Sequence, residues 1–408
     1  MSRATDFDVL IAGGGLAGGS LALALAALPL RIGVVEAVPV DSAEQPSFDD
    51  RTIALSRGSQ QILTGIGLWP AVADSAVPIR EIHVSERGRF GTTRITARDQ
   101  GVPTLGHVVA SRTIGQALWA ALEHRPNVRL YCPARLAEPQ PDADAIALAL
   151  DCGGVRQVLT SRLLVVAEGA RSTLRTALGV AAEERDYGQT AIVGNVAVAG
   201  CESSGVAWER FTAAGPLALL PYRDGRYVFV LGRATAEAER VLALGDAAFL
   251  ALLQSTFGAR LGRFTALGRR SAYPLALVRA SRIIAPRTAI IGNAAHGLHP
   301  VAGQGFNLGL RDVAALAEII ADALRDGRDP GGTALADYAA WRAGDQRRVV
   351  AFTDGLIRLF DLPLASIGVA RGAGLALFDI LPGAKRALAR ETMGLGGRQT
   401  RLARGLPL

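Results

Sequence analysis

Gly13-Gly14-Gly15-Leu16-Ala17-Gly18 sets glycines at Gly-x-Gly-x-x-Gly spacing directly after an apolar run, Phe7-Asp8-Val9-Leu10-Ile11-Ala12. Gly13 permits a tight turn, Gly15 lets a pyrophosphate approach bare backbone, and Gly18 lets the following helix lie close on the strand. The N-terminus of that helix then offers unpaired N–H groups and a positive dipole end to phosphates. Arg31 to Val35 reads as a second buried strand and ends in Glu36, eighteen residues past Gly18. An acid at that distance accepts the hydroxyls of an adenosine ribose. Strand, glycine turn, helix and acid together point to dinucleotide binding, where the glycines alone would not.

A second glycine-rich stretch follows roughly 280 residues later. The apolar strand Thr288–Ile291 leads into Gly292-Asn293-Ala294-Ala295-His296, and then into Gly303-Gln304-Gly305-Phe306-Asn307. A long amphipathic helix follows through Val313, Leu316, Ile319, Ile320 and Leu324, and its positive end would face the far end of a long cofactor. Between the two stretches, the strand Leu163–Ala167 ends in Glu168-Gly169, an acid-glycine turn at the edge where open α/β sheets bind ligands. Arg51 lies in the loop region after the second strand, a border of the nucleotide site. Arg112 falls in the first turn of a helix that Ser111 is expected to cap, where a cation opposes the dipole and suggests an anionic partner; a surface ion pair is the alternative.

The elements that must position these residues are α/β in type. Val9 to Leu30 carries no charge and is long enough to span a bilayer, but Asp6 and Asp8 precede it, its glycines sit at turn spacing and Pro29 stops the helix. It reads as a buried βαβ unit. Residues 78–110 and 187–284 instead alternate with period two around turns such as Arg87-Gly88-Arg89 and Arg223-Asp224-Gly225-Arg226, with a helical insert near 237–256. The chain thus leaves its first domain twice and returns twice. Leu217, Leu219, Pro221 and Phe229 on these strands, with Pro300, are candidates for an apolar pocket wall; for any one of the strand residues, ordinary core is the alternative.

With 408 residues, half of them apolar, the chain can build two or three domains. Cys132, Cys152 and Cys201 are scattered, as in a reduced cytoplasmic protein rather than a disulfide framework. The net charge of +7 comes almost wholly from arginine, without the basic runs and interleaved aromatics that stack nucleic-acid bases, so no nucleic-acid partner is expected. The basic excess gathers at residues 385–404, either a solvated tail or a patch for anionic lipid. His296 and His299 have no third ligand nearby, so no metal is expected. There is no nucleophile–base signature, and no catalytic acid or base is assigned.

Taken together, Gly13–Glu36, Glu168-Gly169, Gly292-Asn293 and the run Asn293–Asp312 resemble the group A flavin-dependent aromatic monooxygenases, in particular their ubiquinone-biosynthesis branch. Tyr338, Arg342, Asp345 and Thr353–Phe360 extend the resemblance to the C-terminal helices. The family carries Asp-Gly where this chain has Glu168-Gly169, and Gly-Asp where it has Gly292-Asn293.

The resemblance implies a Rossmann-type FAD-binding domain with an inserted, mainly antiparallel substrate domain and C-terminal helices. The FAD-binding parts would be 1–75, 108–185 and 285–330, the substrate domain 76–107 and 186–284, and the helical region with its basic tail 331–408. It implies FAD as cofactor and NAD(P)H as transient co-substrate. O₂ would add to the flavin as a C4a-hydroperoxide that hydroxylates a polyprenylated methoxyphenol in ubiquinone biosynthesis. Backbone N–H groups from Gly303 to Asn307 would stabilise charge on the flavin. The helices after Thr353 and the basic tail would meet a membrane surface, or another protein of the pathway, from the cytoplasmic side; packing against the FAD domain or another subunit is the alternative. Three other readings stay open: a hydroxylase of a small soluble aromatic, a flavin-dependent prenyl reductase, and a non-catalytic flavin- or lipid-binding subunit.

Overall fold

A computed structural model of the chain describes residues 5–42, 45, 51–200, 205–298, 303–361, 373–374 and 377–408, with the side chains of 356–361 left out. Cys201, His299, Pro300, Val301, Ala302, Leu375 and Ala376, together with the side chains of Leu356–Phe360, therefore lie outside the described residues. Among the described residues, three sheets of eight, nine and three strands build the molecule.

The first sheet owes its centre to four short apolar strands buried on both faces, as parallel sheets require. These are β1 (Phe7–Ala12), β2 (Ile32–Val35), the second half of β11 (Val155–Val166) and β19 (Thr288–Ile290). With β18 (Ile284–Ala285) and β8 (Val128–Tyr131) they run in the order β18-β19-β11-β1-β2-β8. β9 (Arg135–Pro141) and β10 (Ile146–Cys152) extend the antiparallel first half of β11. The sequence suggests two strands, 155–160 and 163–167. The structure has one, because β11 changes partner along its length: β10 pairs antiparallel with it as far as Ser161, where the parallel ladder to β1 begins.

One face of this sheet is covered by α1 (Leu16–Leu25), α4 (Ser111–Glu123) and α8 (Gln304–Arg325). α1 has no polar face because it is enclosed on every side; Gly18 to Leu25 are all buried. The other face packs against β9, β10 and α5 (Thr173–Ala177).

The second sheet orders β20-β17-β12-β15-β14-β13-β5-β6, with β16 at the side. Its strands are β5 (Glu81–Glu86), β6 (Thr92–Thr96), β12 (Ala182–Val198), β13 (Val206–Phe211), β14 (Leu217–Pro221), β15 (Arg226–Ala234), β16 (Phe264–Leu267), β17 (Ser271–Ala280) and β20 (His296–Gly297). Neighbours are antiparallel except β5 and β13, whose parallel pairing joins the two excursions of the chain. Helices α6 (Thr235–Leu242) and α7 (Asp246–Phe257) cover one face.

The third sheet, β3 (Thr52–Ser56), β7 (Gly106–Ala110) and β4 (Val77–Ile79), sits with α2 (Arg57–Gly65) and α3 (Trp69–Val72). The C-terminal part consists of α9 (Ala334–Asp361), α10 (Pro382–Thr392) and a terminal segment that returns to the first sheet's helices.

Candidate functional site

β1, β2, β11 and β19 run parallel, so the turns that follow them emerge at one edge of the sheet. Gly13 follows β1 with φ of +101°, and a Cβ there would lie 2.6 Å from the Ala167 carbonyl oxygen. A Cβ on Gly18 would lie 1.9 Å from the Gly13 carbonyl oxygen. Only glycine fits at either place. Gly15 caps α1 in extended conformation with no side-chain acceptor for the first-turn N–H groups, which leaves the helix end to a ligand. Leu16 and Ala17 form that first turn.

Glu36 is folded back against this turn. Gly14 N–H donates to one carboxylate oxygen (2.8 Å) and Val38 N–H to the other (3.0 Å). Trp119 of α4, absent from any sequence motif, donates its indole N–H to the Gly14 carbonyl (3.0 Å) and so fixes the turn from beneath.

The Glu168 carboxylate accepts from the Ser172 hydroxyl (2.6 Å) and the Leu174 N–H (3.1 Å), bracing the first turn of α5, whose N-cap is Ser172. The longer side chain is used within its own turn. Gly169 beside it has φ of +89°. Buried Arg175 then joins two ligand-edge turns, donating to the carbonyls of Ala170 (2.9 Å) and Ala294 (3.0 Å). Sequence reading passes over Arg175 because an arginine in a short helix has no motif around it.

The Gly292 turn closes on the same edge. A Cβ on Gly292 would sit 3.0 Å from the Ala17 Cβ, and one on Gly309 of α8 would lie 3.4 Å from the Gly292 Cα. Asn293 is exposed and makes no hydrogen bond among the described residues, so its amide is open to a ligand. Gly303 caps α8 in the left-handed region with φ of +61° and no side-chain cap, a second helix end left open.

Gln304 and Asn307 turn inward rather than toward that opening. Gln304 donates to the Thr392 carbonyl (3.3 Å). Asn307 accepts from Ser56 N–H (2.8 Å) and donates to the carbonyls of Ala54 (2.9 Å) and Gly303 (2.6 Å), fastening β3 to the start of α8. Their side chains hold the helix end in place, and the backbone of Gly303–Asn307 is what remains for a ligand. A Cβ on Gly305 would meet nothing within 4 Å.

Arg51 and Arg112 come together where β3 meets α4, through the bond from Ser111 N–H to the Arg51 carbonyl (2.8 Å). Arg51 also lies over the Tyr273 ring, 4.6 Å from its centroid, which links this corner to the second sheet. Ser111 is not the cap of α4; Ala110 holds that position and Ser111 is already helical.

The pocket expectations need correction. Leu217, Leu219 and Phe229 belong to the core between the second sheet and α6/α7, with Phe249, Leu253 and Phe257. Pro221 shares their face by strand alternation. The opposite face carries Ile82, Ala207 and Leu220, which pack toward Ala54 and hence toward Gly303. That inner face packs against the third sheet and α10 and reaches the start of α8 through Ala54.

Behind the Gly292 turn lies a buried charged network. His296 is hydrogen-bonded to Asp312 of α8, to which Arg342 Nε also donates (2.7 Å). Arg342 and Arg311 both donate to Asp345, at 2.6 and 2.9 Å. Burial pushes the Asp312 carboxyl up, yet the His296 ring and the Arg342 guanidinium outweigh it and hold the group well below the usual carboxylate range. Among the described residues no cluster of His, Cys, Asp and Glu is arranged to hold a metal ion.

The chain's own features thus fit FAD: two uncapped helix ends, a glycine cradle a Cβ would fill, and an open asparagine on one edge. Comparison with known proteins agrees. Residues 6–353 match the family described as FAD binding domain. The chain is 38% identical over 405 residues to ubiquinone hydroxylase UbiL of Rhodospirillum rubrum, spanning 98% of this chain and 93% of that one. It is 33% identical to 3-demethoxyubiquinol 3-hydroxylase of Escherichia coli, over 84% of this chain and 85% of the relative. In fold it matches the crystal structure of p-nitrophenol 4-monooxygenase PnpA from Pseudomonas putida with a TM-score of 0.80 at 18% identity, covering 98% of this chain and 100% of that one. The chain therefore belongs to the FAD-dependent aromatic monooxygenases, in the branch of the ubiquinone hydroxylases.

Proposed function

We propose that this enzyme hydroxylates the ring of a polyprenylated methoxyphenol in ubiquinone biosynthesis, consuming NAD(P)H and O₂. The observation that supports the reading is an apolar cluster that takes in Ile82, Ala207 and Leu220 and reaches Ala54, which lies beside Gly303 at the uncapped N-terminus of α8. FAD, when bound, supplies the redox and oxygen-activating chemistry. The chain's part is to bind, orient and exclude water. Gly13–Gly18 and the end of α1 would hold the pyrophosphate, Glu36 the adenosine ribose and Asn293 the ribityl chain. Backbone N–H groups of Gly303–Asn307 would face the ring system, where negative charge develops. The division into FAD-binding segments 1–75, 108–185 and 285–330 and a substrate domain of 76–107 and 186–284 belongs to the same proposal.

The test is flavin reduction by NAD(P)H under anaerobic conditions, with and without a short-chain 2-prenyl-6-methoxyphenol. Reduction accelerated by the phenol supports the reading. Equal rates would move the substrate to another aromatic class, and an absence of reduction would favour a non-catalytic subunit.

A prenylated substrate calls for contact with a membrane surface, and no described helix is long and apolar enough to cross one. Leu377, Ile380 and Leu381 expose apolar side chains just before α10, whose Arg386 and Arg390 are also exposed. Such a pairing suits an anionic lipid surface. If Ile380→Glu and Leu381→Glu together leave flotation with anionic liposomes unchanged, the membrane role fails.

A further inference from the structure

Strand β13 carries one acidic residue, Glu209, between Trp208 and Arg210. Side chains alternate along a strand, so the two faces of β13 can be assigned from its neighbours. Trp208 stacks edge-on against Phe257 of α7, on the helix-covered side. Arg210 reaches the Ser85 hydroxyl (3.5 Å), on that same side. Ala207 packs on the opposite, inner face with Ile82 and Leu220. Glu209 shares the face of Ala207 and stands about 7 Å further along the strand.

The strand registers fill in the surroundings. Glu209 is paired with Val84 on β5 and with Ala218 on β14, and Ala218 is in turn paired with Val230 on β15. A carboxylate thus stands in a row of small and apolar side chains, on the face that reaches the start of α8 through Ala54. Among the described residues no side chain donates a hydrogen bond to it or forms an ion pair with it, and desolvation alone shifts its carboxyl. Proteins rarely leave such a group unpaired, because the desolvation cost goes uncompensated. Burial pushes the carboxyl up to about 7. Even so, the residue keeps accessible surface of its own. The side chain is thus half-buried rather than sealed in the core.

We propose that Glu209 is the polar anchor of the substrate pocket, accepting a hydrogen bond from the ring hydroxyl of the phenol and so setting which ring carbon faces the cofactor. This rests on the phenol-hydroxylase reading above. The anchor is a single acceptor in an otherwise apolar pocket, which fixes orientation in the way ligand sites commonly do. It also predicts discrimination, since a buried acceptor left without its donor penalises a ligand that lacks the hydroxyl.

The test compares binding of a short-chain 2-prenyl-6-methoxyphenol with that of its O-methyl ether, by flavin difference absorbance on the FAD-loaded, oxidised protein. The wild type is expected to prefer the phenol by about tenfold or more. Glu209→Leu should lose that preference at unchanged FAD content, while Glu209→Gln, which retains an acceptor oxygen, should keep most of it. A Glu209→Leu protein that still prefers the phenol, or a wild type with no preference, overturns the anchor. Neither readout needs turnover. A wild type that shows the preference but never oxygenates the ring would therefore overturn the functional reading and leave the anchor standing.

Discussion

Asp312, fully buried, and Glu209, half-buried, illustrate opposite uses of the interior. Asp312 is paired on both carboxylate oxygens, with His296 and Arg342. Its folded-state pKa lies below the unfolded value, so its stabilisation is present above about pH 4 and is lost as pH falls toward the folded value. Asp312→Asn leaves His296 and the Arg342 Nε buried against a neutral group while Asp345 still holds the rest of the Arg342 guanidinium, and should cost about 3–5 kcal/mol at pH 7. Urea melts should show the gap between wild type and variant closing below pH 4, and a gap independent of pH would contradict the pairing.

Glu209 has the opposite sign. Its folded pKa is raised to about 7, so the folded state binds the extra proton between the unfolded value and pH 7. Stability falls as pH rises through that interval. Glu209→Gln should thus be more stable than wild type at pH 8, by on the order of 2–3 kcal/mol, and nearly equal to it at pH 4. Equal melting curves at both pH values would show that the carboxyl is not desolvated.

At the scale of elements, the glycine turn should tolerate nothing larger. Gly18→Ala places a methyl 1.9 Å from the Gly13 carbonyl, so α1 must move off β1. The variant should purify without flavin absorbance, and normal FAD content would contradict the close helix–strand packing.

This part of the fold is legible in the sequence because one steric demand fixes residue type and spacing together. The hairpin β5–β6, the helical insert and the long helix α8 are legible for a similar reason, a sustained period of 2 or 3.6. The faces of β14 and β15 are less so. Period two puts Leu217 and Leu219 on one face of β14, and the register adds Phe229 of β15, but the period does not say which face the helices cover. Tertiary packing decides that, and it turned the expected pocket wall into core. Glu209, Trp119 and Arg175 carry no motif at all, and only the registers and hydrogen bonds bring them to the site. Glu168 was recognisable as a turn residue, while its partner Ser172 shows only in three dimensions.

At the scale of the whole molecule, the C-terminal segment is neither a free tail nor wholly a lipid patch. Arg401 N–H donates to Glu318 (2.6 Å) and its guanidinium to Asp322 (2.6 Å), both on α8. Leu402 and Ala403 are buried in the core of the first sheet's helices, and Arg398 lies over the Trp341 ring at 3.7 Å. Truncation after Thr392 removes these contacts along the back of α8, whose N-terminus faces the cofactor edge. It should lower the melting temperature and weaken FAD retention together, as thermal melts followed by flavin release would show. A truncated protein with unchanged melting would contradict the docking.

The hydroxylase reading predicts that one atom of O₂ enters the ring of a prenylated phenol. The direct measurement is product mass after turnover of the FAD-loaded enzyme with NAD(P)H, a short-chain 2-prenyl-6-methoxyphenol and ¹⁸O₂. A product carrying one ¹⁸O on the ring is the predicted result. NAD(P)H consumption without labelled ring product, with the prenyl double bonds reduced instead, would contradict it.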